Sequence, residues 1–81
     1  MIIKVREVLK NGIETGKLAI FNINDVVRLE CYDGKPYGTI IFNNSPISVN
    51  VRSVASYRFM TMNISADAFM ELSDVYEKHW S

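Results

Sequence analysis

Apolar and polar residues alternate through most of the first 51 positions of this chain. Period-two alternation rich in β-branched residues is typical of β-strands. The pattern therefore predicts successive strands at residues 2–9, 17–21, 26–32, 37–42 and 47–51. Turn-forming residues occupy the intervals between these strands. Among them, Asn11-Gly12 and Asp33-Gly34 favour tight hairpin turns because both members of each pair tolerate positive φ.

Residues 53–62 admit two interpretations. Ser53 is suited to cap a short helical turn through residues 54–57. Alternatively, residues 54–62 form a sixth strand, which their valine, tyrosine, phenylalanine and threonine content favours. Both interpretations stay open at the level of the sequence.

The C-terminal segment has the period of a helix. Its main apolar residues recur every three or four positions, and charged residues occupy the opposite side; the apolar set is Phe69, Leu72, Tyr76 and Trp80. Ser65 is placed to cap the first turn, and Asp67 suits the positive end of the helix dipole. The pattern predicts an amphipathic helix over about residues 66–79.

Together these elements predict a single α+β domain over residues 1–81, with a β-meander over about residues 2–62 followed by the helix. We expect an antiparallel, twisted sheet of five or six strands, or a small barrel, covered by the helix. A sheet in so small a domain has edges that need covering or pairing. The first strand or the strand at residues 47–51 is therefore a candidate to pair with its copy in a homodimer.

The charge balance argues against a dedicated nucleic-acid binder. The formal net charge is zero, with eight basic and five acidic residues in positions 1–60 and four acids against one lysine in positions 61–81. No segment approaches the roughly 20 apolar residues that span a bilayer, and the first residues lack the pattern of a signal peptide. The expectation is a cytoplasmic protein with no membrane partner.

Few residues offer catalytic chemistry. Cys31 is the only cysteine, and strand alternation places it with Val27 and Leu29, which predicts a buried, inert thiol. His79, the only histidine, falls in the last helical turn, where it complements the helix dipole. The helix carboxylates are best explained as a solvated face, and no glycine motif precedes a helix to cradle phosphate. We expect no enzymatic activity, no cofactor and no metal; an enzyme that uses Cys31 is the competing hypothesis.

A group of arginine, aromatic and methionine residues is the candidate partner-binding surface. Methionine adapts to irregular protein surfaces, whereas aromatic residues flanked by arginine can stack unpaired bases. The same apolar residues would also serve as core beneath the helix. The candidate residues are Arg28, Arg52, Tyr57, Arg58, Phe59, Met60 and Met62.

Three runs, Asn24–Glu30, Thr39–Asn44 and Val49–Val54, together resemble the small β proteins of the FlbD type. Those are short bacterial polypeptides linked to flagella and motility. The chain departs from their pattern at Asn43-Asn44, where that pattern has Asn-Gly, and at Arg52-Ser53, where it has Glu-Ser. It also adds an N-terminal hairpin and a C-terminal helix. The resemblance supports the strand assignments and implies no function.

The sequence thus favours a small non-enzymatic module that acts by binding another protein or itself. A single-stranded nucleic-acid binder is one alternative. Another is an inhibitor of a host protein of the kind that phages encode, because such proteins often have this size and this lack of catalytic residues.

Overall fold

The computed structural model describes residues 1–43, 47–50, 56–57 and 61–81, with the backbone alone at residues 47–50 and 56–57. Seven strands and a C-terminal α-helix lie in these ranges. In chain order they are β1 (Ile2–Val8), β2 (Glu14–Asn22), β3 (Val26–Cys31), β4 (Tyr37–Phe42), β5 (Ile47–Asn50), β6 (Ser56–Tyr57), β7 (Thr61–Ser65) and α1 (Ala66–Trp80). The predicted α+β class, with antiparallel pairing and a C-terminal helix, is confirmed.

The strands form two sheets, with orders β1-β2-β5-β6 and β3-β4-β7. The prediction of one five- or six-stranded sheet or barrel is therefore wrong. The order also departs from a meander, because β5 pairs with β2 and β7 pairs with β4. These pairings join segments far apart in the chain, so alternation within each strand carries no information about them.

The chain passes from the first sheet to the second at a short 3-10 helix, Ile23–Asp25. The side-chain oxygen of Asn22 accepts a hydrogen bond from the backbone N–H of Asn24 at 3.0 Å. This local bond substitutes for strand pairing, as is usual for asparagine at a corner. Ile23, at this corner, is fully buried and packs in the core.

A register irregularity between Val26 and Arg28 changes which residues of β3 face the core. Simple alternation groups Val26 with Arg28 and Glu30, yet Val26 is buried while Arg28 is exposed. An extra residue in one strand reverses the facing of all that follow it. The same bulge leaves Val27 half exposed.

The core lies between the two sheets and α1. Phe21 of the first sheet meets Phe42 of the second edge to face, with ring centroids 4.9 Å apart. Phe69 and Leu72 project from the helix into the same cluster. The buried cluster contains Ala19, Phe21, Ile23, Val26, Ile40, Phe42, Met62, Ile64, Phe69 and Leu72.

Both ends of α1 are fixed by hydrogen bonds. The hydroxyl of Ser65 accepts from the backbone N–H of Ala68 at 3.2 Å, which is the cap that the sequence predicts. Near the other end, the Tyr76 hydroxyl lies 3.0 Å from the Val26 carbonyl oxygen and 3.2 Å from that of Val27, and donates to them. The predicted helix is confirmed, with its last residue at Trp80.

In residues 53–62, Ser56–Tyr57 is a strand and Thr61 begins β7. Residues 56–57 and 61–62 are therefore extended, but the prediction of one sixth strand over residues 54–62 is wrong, because these two parts belong to different sheets. The other positions of this segment lie outside the described residues.

Candidate protein-binding groove

A groove of about 570 Å³ runs between β1 and α1. Its volume falls within the roughly 300–1,000 Å³ that is usual for ligand sites. Apolar residues dominate its lining, and charged residues come from both sides. The lining comprises Ile3, Lys4, Val5, Arg6, Val8, Glu14, Leu18, Ser65, Ala68, Glu71, Leu72 and Val75.

One wall of the groove is the outer edge of β1. Four successive residues, Ile3 to Arg6, line it, although neighbouring side chains of a strand point to opposite faces. Such a run indicates that the strand presents its backbone edge to the groove. In the described part of the chain, β1 is an edge strand whose backbone pairs with β2, and β7 passes nearby without pairing to it.

The other wall is one face of α1. Ala68, Glu71, Leu72 and Val75 follow the three- and four-residue spacing that places side chains on the same side of a helix. Leu72 is buried and Val75 half-buried, so this wall is continuous with the core. The small side chain of Ala68 leaves space near the helix start.

The charges at the groove are arranged by wall. Arg6 Nη1 lies 3.5 Å from Glu14 Oε2, and both side chains are more than half exposed, so this ion pair contributes little to stability. Lys4 is an exposed cation on β1, and Glu71 is an exposed carboxylate on α1. Neither Lys4 nor Glu71 forms an ion pair with another described residue.

The structure distributes the sequence-predicted partner residues over different places. Met62 is 3% exposed and belongs to the core, so we leave it out of any binding surface. Arg28 is exposed on β3, with Nε 2.7 Å from Glu30 Oε1. Tyr57 lies in β6, which belongs to the other sheet from β3. The remaining predicted residues, Arg52, Arg58, Phe59 and Met60, lie outside the described residues.

Sequence reasoning missed the groove. The alternation of β1 and the amphipathic face of α1 were both visible, but the meeting of the first strand with the last helix was not. Ala68 and Val75 flank the main apolar stripe of the helix and pack against the core, so they gave no signal specific to a groove.

Glu30 accepts two hydrogen bonds on the surface of β3, from the Tyr32 hydroxyl at 2.6 Å and from Arg28. The bond from Tyr32, and then that from Arg28, lower the pKa of Glu30; the same bond raises the pKa of Tyr32. The contribution of Glu30 to stability is thus present above its unfolded-state pKa and lost as the pH falls through its folded-state pKa. That of Tyr32 is present below its unfolded-state pKa and lost as the pH rises through its folded-state pKa.

We expect Tyr32→Phe to raise the pKa of Glu30 towards its ordinary value, because it removes the larger of the two stabilising bonds. Arg28→Gln should raise the same pKa by less. Titration of the Glu30 carboxyl carbon by NMR measures both changes. A larger rise in Arg28→Gln than in Tyr32→Phe would contradict this order.

Cys31 is exposed, so the prediction of a buried thiol is wrong. Its register partner is the buried Gly38, but the alternation also placed Val27 on this face, and Val27 is half exposed. Cys31 is the last residue of β3, which is an edge strand of its sheet.

We expect Cys31 to react with a thiol reagent such as dithionitrobenzoate in the folded protein, at a rate within a few-fold of that in denaturant. Exposure alone accounts for this reaction, so rapid labelling of Cys31 would not by itself indicate an enzyme. Reaction that begins only on addition of denaturant would contradict the exposed position.

Three further properties bear on the predictions from the sequence. Within the described ranges, no three His, Cys, Asp or Glu residues are grouped so as to hold a metal ion. The helix of the described chain is too short and too polar to cross a membrane. His79 lies at the end of α1, with Nε2 2.6 Å from the side-chain oxygen of Asn24.

No family model matches the chain, and comparisons with curated proteins and with solved structures likewise found no significant match. The resemblance to FlbD-type proteins therefore stays a prediction from the sequence pattern.

Proposed function

We propose that this protein is a small non-enzymatic interaction module that binds another protein in the groove between β1 and α1. The observation that carries the proposal is that β1, an edge strand among the described residues, faces an apolar side of α1 across one groove. Strand edges and helix-lined grooves are two of the recurring surfaces by which proteins recognise peptides. A regulatory role, including inhibition of a host protein, is compatible with such a surface.

A cytoplasmic setting is part of this proposal. The single cysteine has no second cysteine in the chain with which to form a disulfide, and its thiol is exposed. Exposed free thiols are usual where the cell keeps cysteines reduced.

The nucleic-acid alternative is less well supported by the described residues. Arg28 is held by the carboxylate of Glu30, which offsets the positive charge that a phosphate backbone requires. Met62, which would lie beside the aromatic residues, is in the core. The net charge of zero gives no general attraction to a polyanion.

The test is a selection from an unbiased peptide library on the immobilised protein. Glu71→Trp places a large side chain at the groove, and Asp74→Trp makes the same chemical change on an exposed part of α1 that does not line it. We expect selected peptides to bind the wild type and Asp74→Trp equally, and to bind Glu71→Trp at least about tenfold more weakly.

Amide chemical-shift changes on binding should fall on β1 and α1. If the selection yields no peptide that binds the wild type more tightly than Glu71→Trp, this result would count against the proposed function. So would shifts confined to β3 and β4.

A further inference from the structure

We infer that the occupant of the groove is an extended acidic segment of a different protein, which adds to β1 as a further strand. This inference rests on the proposed function and names its partner chemistry. It depends on three features: the position of β1 as an edge strand in the described part of the chain, the charges on its outer face, and the apolar helix wall opposite it.

The edge of β1 offers backbone groups rather than a side-chain pocket. Ile3 to Arg6 line the groove continuously, and Val8 extends the wall to the end of the strand. The pairing register of β1 shifts between Arg6 and Val8, so the regular edge is Ile3–Arg6, roughly 13 Å at about 3.3 Å per residue. An extended segment of about four residues can pair along this length through main-chain hydrogen bonds.

A second copy of β1 is a poor occupant because its charges repel. In a two-fold antiparallel pair, residues that oppose one another lie on the same face. Centring the pair on Val5 sets Lys4 against the copy's Arg6. Centring it on Lys4 or on Arg6 sets that cation against itself.

Other registers leave little of the strand paired. Centring on Ile3 or Glu7 leaves only residues 2–4 or 6–8 in the pair. Every register with substantial overlap therefore opposes like charges, which destabilises a strand pair. The edge favours a partner strand of the opposite charge over its own copy.

The two faces of β1 specify the side chains of that partner strand. Lys4 and Arg6 are exposed on the outer face. An acidic residue of the segment would lie beside Lys4, and a second, two positions along, would compete with Glu14 for the exposed guanidinium of Arg6. Ile3 and Val5 pack against the core on the inner face. The intervening residues of the segment would therefore be apolar and would contact Ala68, Leu72 and Val75 across the groove.

Synthetic peptides test this assignment on the full chain. The first probe alternates valine with glutamate over seven residues between soluble flanks, and the second replaces each glutamate with lysine. Two further probes are N-methylated versions of the first peptide, one at the valine amides and one at the glutamate amides. Each version lacks the backbone N–H donors along one of the two edges of the peptide strand. Binding is measured by fluorescence anisotropy at low salt, with amide shifts to locate the site.

We expect the glutamate peptide to bind at the groove, and the lysine peptide to bind at least about tenfold more weakly. At least one N-methylated peptide should lose binding about tenfold or more. Lys4→Gln should weaken the glutamate peptide about two- to fivefold, and Lys10→Gln, an exposed lysine at the hairpin tip that does not line the groove, should leave it unchanged.

Three outcomes would overturn the inference. They are equal binding of the acidic and basic peptides, full tolerance of both N-methylated peptides, and an equal response of Lys4→Gln and Lys10→Gln. If library peptides still bind at the groove in any of these cases, the proposed function stands and only the strand-addition model fails. If no peptide binds at the groove, both fail.

Sedimentation experiments test whether β1 pairs with β1 of a second copy of the protein. We expect the wild type not to pair through β1. Lys4→Glu should associate more strongly than the wild type, because the introduced carboxylate lies opposite the copy's Arg6 twice in the register centred on Val5. A wild-type dimer with β1 amides protected from hydrogen exchange would assign the groove to a second copy and overturn the inference.

Discussion

Gly38→Ala is expected to destabilise the fold by about 3 kcal/mol or more. Gly38 is buried in the middle strand of the second sheet, directly beneath the ring of Phe69. A Cβ atom added there would overlap Cδ2 and Cγ of that ring and lie 2.8 Å from Cε2. The ring is buried in the close-packed core cluster, so moving it aside would disturb other core side chains.

The expected loss is a large share of the roughly 5–15 kcal/mol by which natural domains are stable. Urea denaturation of the variant and the wild type measures it. Gly34→Ala is the matched control, because no atom lies within 4 Å of its added Cβ. Gly34 has φ of +76°, so alanine there should cost only about 1 kcal/mol, from backbone strain.

A double-mutant cycle with Phe69→Ala isolates the steric cause. In that background the Gly38→Ala substitution should cost far less, because the overlapping ring atoms are gone. An equal cost in both backgrounds would show that the ring is not what excludes a side chain at this position.

Ile40→Ala is expected to cost about 3–4 kcal/mol. Ile40 is 0% exposed and stands in β4 between Leu29 of β3 and Met62 of β7. Truncation removes buried methyl groups from both interfaces of this central strand. The close packing around it limits how far neighbours can collapse into the space.

Ile13→Ala is the control, because it removes the same atoms from an exposed residue. Ile13 is 61% exposed and lies in the loop between β1 and β2. It should cost less than about 0.5 kcal/mol. Comparable losses in the two variants, measured by urea denaturation, would contradict the position of the core.

The helix was predictable because its determinants are local. Ser65 caps the first turn, and the buried residues Phe69 and Leu72 follow the period that the sequence displays. The corner at Asn22 was predictable for the same reason, since its hydrogen bond spans only two residues. Such interactions depend on near neighbours and leave a readable pattern.

The division into two sheets was not predictable from alternation. Pairing of β2 with β5 and of β4 with β7 depends on side chains that meet only in the folded state. Features of the candidate site were unpredictable for the same reason, because they depend on how distant segments pack. Local alternation did not show that Met62 is buried in the core or that Cys31, at the end of its strand, is exposed. Nor did it show that the first strand and the last helix form a groove.

The interleaved order of the strands has a consequence for synthesis on the ribosome. The hairpin of β1 and β2 can form early, whereas β4 has an unpaired edge until β7 emerges from the ribosome. Contacts between distant segments also slow folding, to the millisecond-to-second range for proteins dominated by them. The nascent chain therefore exposes the strand that carries Gly38 and Ile40 until residues 61–65 are released, and this interval is when association with other chains is most favoured.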